Sequence, residues 1–287
     1  KAKVINEFSK NERLNELNLA VLLLTNQLKK GRIHDLDFDN QFIPCKKYDS
    51  KKSYKMKNGY FPGIATIGKN IVYLENRNGN SNVKFKQEET LQRVYDLLAC
   101  KEIKIKRSRM DCGSFTKEVI KVVEENSELF YIRAQKCLEL TSQIRGIENW
   151  KKTTLGNKDV EVASLIYTPF KGNKSYRYVV SREASKNKQI DLFQQDHFIY
   201  RAIITNDIEM TDEEVVEYYN QRGSSEKIFD EMNNDFGWKN LPFSFLQENT
   251  VYMLITAMCR NFYLYILAKL SKKVPFVENT FRLKKFI

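Results

Sequence analysis

A mixed α/β sheet is the fold class this chain predicts, and three features predict it. Period-two apolar stretches bounded by turn signals recur through residues 32–134. Helical periodicity at 87–100 and 115–126 interrupts them, so the order reads β, β, β, α, β, α, β. A hydrophobic content of 42% in 287 residues is enough for a packed core and argues against disorder.

Taken in order, residues 1–30 read as helical, with an apolar patch at 19–24. The chain opens at Lys1 directly in that pattern, which reads as a fragment of a longer protein whose start is missing. The stretch 32–39 alternates: Leu36 and Phe38 face one way, and Asp35, Asp37 and Asp39 face the other. Acids along one strand face are costly unless they meet a cation or water. The structural alternative is an edge strand with a wet face. Stretches 60–67 and 71–75 form an expected hairpin around Gly68-Lys69-Asn70. A helix follows over 87–100, with Leu91, Val94, Tyr95 and Leu98 on one side. The strand at 102–110 ends at Asp111, ahead of the 115–126 helix and a strand at 129–134. An acid at the carboxyl end of a central strand is where open α/β sheets place their chemistry. The plainer role for Asp111 is a helix cap.

Strand signals dominate 136–210, at 160–167, 176–181 and 197–205, and mark this segment as a β-rich insertion. A helix is expected over 212–235, opened by a Thr211/Glu214 capping box and closed before Gly237. On one continuous helix Tyr219, Arg222 and Glu226 share a narrow arc. Carboxylate, guanidinium and phenol together suit a phosphodiester with a hard cation; a solvated charge face is the ordinary reading. Gly223-Ser224-Ser225 are weak helix formers in mid-helix. A long apolar helix at 249–270 is the expected core element. Arg260, Asn261 and Lys269 interrupt it, so no stretch reads as the roughly 18 apolar residues of a membrane span.

Lys and Arg total 48 against 36 acids, a net charge of +12 that favours a polyanion, nucleic acid before membrane. The five cysteines show no paired spacing, which fits a reducing compartment and neither a disulfide framework nor a zinc site. With two histidines, His34 and His197, histidine-based catalysis is disfavoured. The acids therefore carry the chemistry: Asp37 or Asp39, Asp111 and Glu226, on separate elements, suggest divalent metal, magnesium first.

These residues resemble a bacterial insertion-sequence transposase of the DDE class. The most specific block is Tyr219-Asn220-Gln221-Arg222-Gly223 with Glu226 and then Asp235-Phe236-Gly237. The second, Arg109-Met110-Asp111-Cys112-Gly113-Ser114-Phe115, resembles the family's Arg-x-Asp-Ser-Gly-Phe run. The resemblance spans about residues 31–270. It implies an α/β, ribonuclease-H-like mixed sheet flanked by helices and interrupted by a β-rich insertion. The implied organisation is a helical segment at 1–30, a first core part at 31–135, the insertion at 136–210 and a second core part with C-terminal helices at 211–287. It implies metal-dependent cleavage and strand transfer on double-stranded DNA, at transposon ends and target, by a homodimer in the bacterial cytoplasm.

Asp39, Asp111 and Glu226 would be the catalytic residues and the ligands of two Mg2+ (or Mn2+) ions, with Asp39 favoured over Asp37 by motif alignment. Tyr219 and Arg222 would grip end phosphates, and Lys227 is a further DNA contact. Trp150 is a candidate wedge, although partly buried packing is the commoner fate of a tryptophan. Two departures stand out. Asn40-Gln41 follow Asp39, where the family has a small residue and Thr. Asn233 stands where the signature has Lys; Lys227 and Lys239 are the available substitutes, and neither shares the predicted face of Glu226. Two alternatives follow, a catalytically decayed DNA-binding relative and a stand-alone nuclease of the same fold. Basic runs at 46–57 and 101–109 are candidate tracks for the DNA backbone or plain solvated faces.

Overall fold

The computed structural model describes residues 2–184 and 198–286. The chain divides into two compact units: residues 1–105 with 223–287, and residues 106–222.

The first unit begins with α1 (Ala2–Leu24) and β1 (Ile33–Asn40). A separate small sheet follows, β2 (Ile43–Pro44), β3 (Lys51–Lys52) and β4 (Asn58–Tyr60), in the order β2-β4-β3. Then come β5 (Gly63–Ile67), β6 (Asn70–Glu75) and α2 (Gln87–Cys100). The strand expected over 60–67 is cut after Tyr60, because Pro62 has no N–H to give a ladder. The hairpin turn is the two residues Gly68-Lys69, closed by the Ile67↔Asn70 pair. Gly68 takes φ +59°, which the first position of a tight primed turn requires.

β1 pairs antiparallel with β5, and β5 with β6. β6 ends this ladder, yet side-chain amides occupy its edge. Asn15 exchanges two hydrogen bonds with Leu74, at 3.1 and 3.0 Å. Asn261 exchanges two with Ile71, at 2.7 and 3.1 Å, and Asn18 donates to the same Ile71 carbonyl. An exposed strand edge is a template for aggregation, and these amides close it.

The acidic face of β1 is not a wet edge. Asp37 and Asp39 are buried, at 4% and 9% exposure. Leu36 and Phe38 are buried as well, so burial does not alternate along β1: both of its faces are covered, and a helix packs against it.

The second unit carries β7 (Lys104–Met110), α3 (Lys117–Asn126), β8 (Leu129–Arg133) and α4 (Leu138–Arg145). It continues with β9 (Lys151–Leu155), β10 (Lys158–Tyr167), β11 (Tyr176–Ala184), β12 (Phe198–Thr205) and α5 (Asp212–Asn220). Strand order is β7-β8-β12-β11-β10-β9. β7 and β8 are parallel around α3, and the others are antiparallel, so the sheet is mixed. The strand-rich segment thus extends the edge of β8. His197, at the start of the expected 197–205 strand, lies outside the described residues.

The helix α4 goes unannounced in the sequence because its N-cap is unusual: the Cys137 sulfur accepts the Leu140 N–H at 3.4 Å. Leu140 and Ile144, one turn apart, are its buried face.

Asp207 anchors the loop leading to α5. At 3% exposure, it accepts from Tyr131 Oη at 2.5 Å and from the Glu209 and Met210 amides at 2.9 and 3.1 Å. Burial pushes its pKa up, but these donors and the Arg177 charge outweigh that and hold it below the ordinary value. A carboxylate depressed on folding stabilises above its unfolded pKa of about 3.9, and the contribution is lost as pH falls through the folded value. Asp207→Ala is expected to cost about 2–3 kcal/mol at neutral pH, from the donors it strands. Urea titrations at neutral and acidic pH check this. A loss that persists undiminished in acid contradicts the ionised-carboxylate account.

The chain returns to the first unit with α6 (Ser224–Asn234), α7 (Leu246–Leu270) and α8 (Leu283–Phe286). The predicted 212–235 helix is therefore not continuous. A 3-10 turn at Gln221–Gly223 separates α5 from α6. The capping box at Thr211 and Glu214 is present, and Gly237 sits just past α6 at φ +82°. A Cβ at Gly237 would lie 2.3 Å from the Tyr252 hydroxyl, so space as well as φ demands glycine.

By length and composition alone α7 is apolar enough to cross a membrane, a property that core helices share. Within this unit it is a core helix held by polar ties. Buried Arg260 pairs with Glu231 at 2.7 Å and donates to the Lys69 carbonyl at 2.7 Å, and Asn261 ties to β6. The core beneath α6 and α7 gathers Ile64, Ile71, Leu74, Phe229, Met232, Trp238 and Met253.

Candidate active site

Asp111 follows the last residue of β7, where the strand stops and the backbone turns into a 3-10 segment, Cys112–Ser114. Its Oδ1 accepts the Gly113 N–H at 3.0 Å. The cap role is real for that short turn, while Thr116 caps α3.

Around Asp111 the second unit assembles cations on aromatic rings. Tyr219 is buried, at 5% exposure, and its hydroxyl donates to the Met110 carbonyl at 3.0 Å. Burial raises its pKa, so the phenol stays a donor at neutral pH. The Arg133 and Arg222 guanidinium groups lie over its ring at 5.1 and 5.9 Å. Arg109 is buried, lies over the Tyr218 ring at 4.5 Å and donates to the Tyr218 carbonyl at 2.7 Å. So the basic run at 101–109 is in part internal structure, and its arginine locks α5 beside the end of β7.

Arg133 was not anticipated. The signal is available in retrospect: a parallel β7/β8 pair in the register Met110↔Ile132 brings the residues after each strand to one end of the sheet. A carboxylate with forked cations beside it can hold a hard cation and grip a phosphodiester oxygen.

In the first unit, Asp39 is near the end of β1, and its Oδ1 accepts the Asn40 N–H at 2.9 Å. The residues after it are fixed from two sides. Gln87 of α2 donates to Asn40 Oδ1 at 3.2 Å, and Asn233 of α6 donates to Gln41 Oε1 at 2.8 Å. Gln41 and Asn233, both departures from the family signature, therefore meet in one hydrogen bond.

Glu226 lies in the first turn of α6 and is exposed, as is Lys227. A carboxylate there is favoured by the helix dipole. Tyr219 is buried and Glu226 is exposed, and the single-face reading of Tyr219, Arg222 and Glu226 rested on one continuous helix. The 3-10 turn breaks the phase that reading required.

Trp150 is half-buried. Its indole N–H donates to the Ile147 carbonyl at 2.8 Å, and the Arg182 guanidinium covers its ring at 4.1 Å.

Among the described residues no group of three or more His, Cys, Asp or Glu is gathered to hold a metal ion. Chemically, carboxylate oxygens such as those of Asp39, Asp111 and Glu226 are hard donors, of the kind that suits magnesium or manganese and not a soft metal.

The fold defines the class. The chain matches a solved structure described as piggyBac transposase synaptic complex with hairpin DNA, with a TM-score of 0.53 and 11% identity. The match covers 89% of this chain and 51% of that one, so the chain spans about half the length of its structural relative. This likeness makes the fold a mixed α/β, ribonuclease-H-like one. Residues 18–281 match the family model described as transposase DDE domain group 1, and the chain belongs to that family. A search of curated proteins found no match.

Proposed function

We propose that this chain is the catalytic part of an insertion-sequence DNA transposase, cutting and joining DNA at the element's terminal repeats. The observation that carries the reading is the family match across 18–281.

In this proposal Asp39, Asp111 and Glu226 would hold two Mg2+ or Mn2+ ions. When bound, the ions would activate water or a DNA 3′-hydroxyl and neutralise the leaving oxygen of an in-line displacement. The protein's own part is positioning. The Gly113 amide orients the Asp111 carboxylate, and the Gln41–Asn233 and Gln87–Asn40 bonds steady the backbone after Asp39. Arg222 and Arg133 supply forked donors to phosphate, with Tyr219 acting through the guanidinium groups over its ring. Lys227 and Trp150 are further proposed DNA contacts, Trp150 once Arg182 is displaced from its ring. The proposed division keeps 136–210 as an insertion between two core parts, 31–135 and 211–287. The proposed partners are two DNA ends and a target, on a homodimer in the bacterial cytoplasm at the nucleoid.

The wild-type chain, incubated with its terminal-repeat duplex, should nick it with Mg2+ and not in EDTA, and excess random DNA should compete poorly. Equal cutting of random DNA supports the stand-alone nuclease instead. The departures at Gln41 and Asn233 favour a second reading, a DNA-binding relative without catalysis. Binding of the repeat with no cutting at any Mg2+ or Mn2+ concentration would establish that one.

A further inference from the structure

We infer that the small β2-β4-β3 sheet of the first unit is a second nucleic-acid surface, which grips the phosphate backbone of duplex DNA without reading its sequence. The inference rests on the transposase reading only for its choice of polyanion.

The composition of this element is extreme. Between residues 46 and 57 the chain places Lys46, Lys47, Lys51, Lys52, Lys55 and Lys57 against one acid, Asp49. All six lysines except half-buried Lys47 are exposed, and among the described residues none is in an ion pair. Asp49 offers them little compensation. Its carboxylate accepts from the Tyr60 hydroxyl at 2.6 Å and from the Leu246 N–H at 2.9 Å, which spends it on holding the sheet to α7. Six unneutralised cations repel one another, and a stability-driven sequence would intersperse acids.

Large apolar groups stand among the lysines. Tyr48, Tyr54 and Met56 are 85%, 76% and 74% exposed. Tyr48 pairs with Phe245, ring centroids 5.2 Å apart, and Lys55 lies over the Tyr54 ring at 5.6 Å. Exposed lysines supply phosphate contacts on a duplex, and the tyrosine hydroxyls among them are further donors to phosphate oxygens.

The element is also rigidly mounted. Asn78 accepts from the Lys51 amide at 2.7 Å and donates to the Asp49 carbonyl at 2.7 Å, and Gly79 N–H reaches the Gly59 carbonyl at 2.8 Å. Cβ atoms at Gly59 or Gly79 would come within 2.2 or 2.5 Å of backbone oxygens, so β4 and the turn at Gly79 beside it fit only with glycine there. At the hairpin tip Met56 takes φ +56°, a conformation that favours glycine, and so presents a large side chain at some backbone cost. An open groove of about 900 Å³ runs beside the tip, lined by Lys46, Lys47, Tyr48, Met56 and Lys57. The other basic run differs, for its Arg109 is buried and bonded to the Tyr218 carbonyl.

The test is metal-free DNA binding by the whole chain, measured by fluorescence anisotropy on a random-sequence duplex between about 50 and 200 mM salt. Each lost phosphate contact lowers the log–log salt slope by about 0.9. The combined variant K51Q/K52Q/K55Q/K57Q should flatten the slope by roughly 3 to 4 and weaken binding at least about tenfold at low salt. Its melting temperature should stay close to wild type, because these side chains are exposed. The control K272Q/K273Q/K284Q, on exposed lysines elsewhere in the same unit, should leave the slope nearly unchanged.

An unchanged slope in the first variant overturns the inference, as does an equal change in both, which would make bulk charge the cause. Loss of binding to phosphatidylserine vesicles with DNA binding intact also overturns it, in favour of a membrane partner. Because the assay holds no metal, catalysis does not enter. A chain that cuts its terminal repeat while this surface proves inert keeps the transposase reading and loses only the surface.

Discussion

Asp111→Asn is expected to reduce Mg2+-dependent nicking of the terminal repeat by at least about a thousandfold, roughly 4 kcal/mol of barrier. The substitution isolates charge from shape. Asparagine keeps an oxygen for the Gly113 N–H, so the 3-10 turn after β7 and the Tyr219–Met110 bond beside it survive. What disappears is the negative charge a hard cation requires. Glu226→Gln should lose activity comparably. Glu226 is exposed in the first turn of α6, so the fold gives up only a few tenths of a kcal/mol of helix-dipole interaction. Both variants should bind the repeat as wild type does, because the neighbouring guanidinium groups are untouched. Asp37→Asn and Asp39→Asn decide the first acid: the full loss should belong to Asp39. Undiminished cutting by the Asp111 and Glu226 variants would reject the assignment.

Trp238→Ala should destabilise the chain by about 3–5 kcal/mol, the cost of a large cavity in a tight core. Trp238 has 0% exposure, lies 6.4 Å from the Phe229 ring between centroids, and donates its indole N–H to Thr256 at 2.9 Å. It thereby joins the inner face of α6 to α7, and α6 is the helix that carries Glu226. A drop of the melting temperature by roughly 6–20 °C is expected, at about 2–4 °C per kcal/mol for a chain of this class. Trp238→Phe should recover much of the loss, because it keeps an aromatic filler and gives up the Thr256 bond. A cost below about 1 kcal/mol for the alanine variant would mean that the core collapses around the gap.

Local signals in the sequence were sufficient for much of this architecture. Period-two alternation located β1, and helical spacing located α2 with Leu91, Val94, Tyr95 and Leu98 inward. The Thr211/Glu214 box and Gly237 marked the ends of the α5–α6 region because capping is read from residues within one turn of each other. The family, too, was legible, since its signature blocks are short and contiguous.

Other features depend on residues far apart in the chain. The interruption at Gln221–Gly223 had a local hint in Gly223-Ser224-Ser225, but the inward turn of Tyr219 is set by the Met110 carbonyl, 109 positions away. The meeting of Gln41 with Asn233 spans 192 positions, so neither departure from the signature announces the other. The two lysine- and arginine-rich runs look alike as strings, and only pairing partners separate them: β7 draws Arg109 inward, while β3 and its hairpin leave theirs in water. Which polar groups lie inside is a property of packing, and a linear pattern records only what neighbours in sequence can sense.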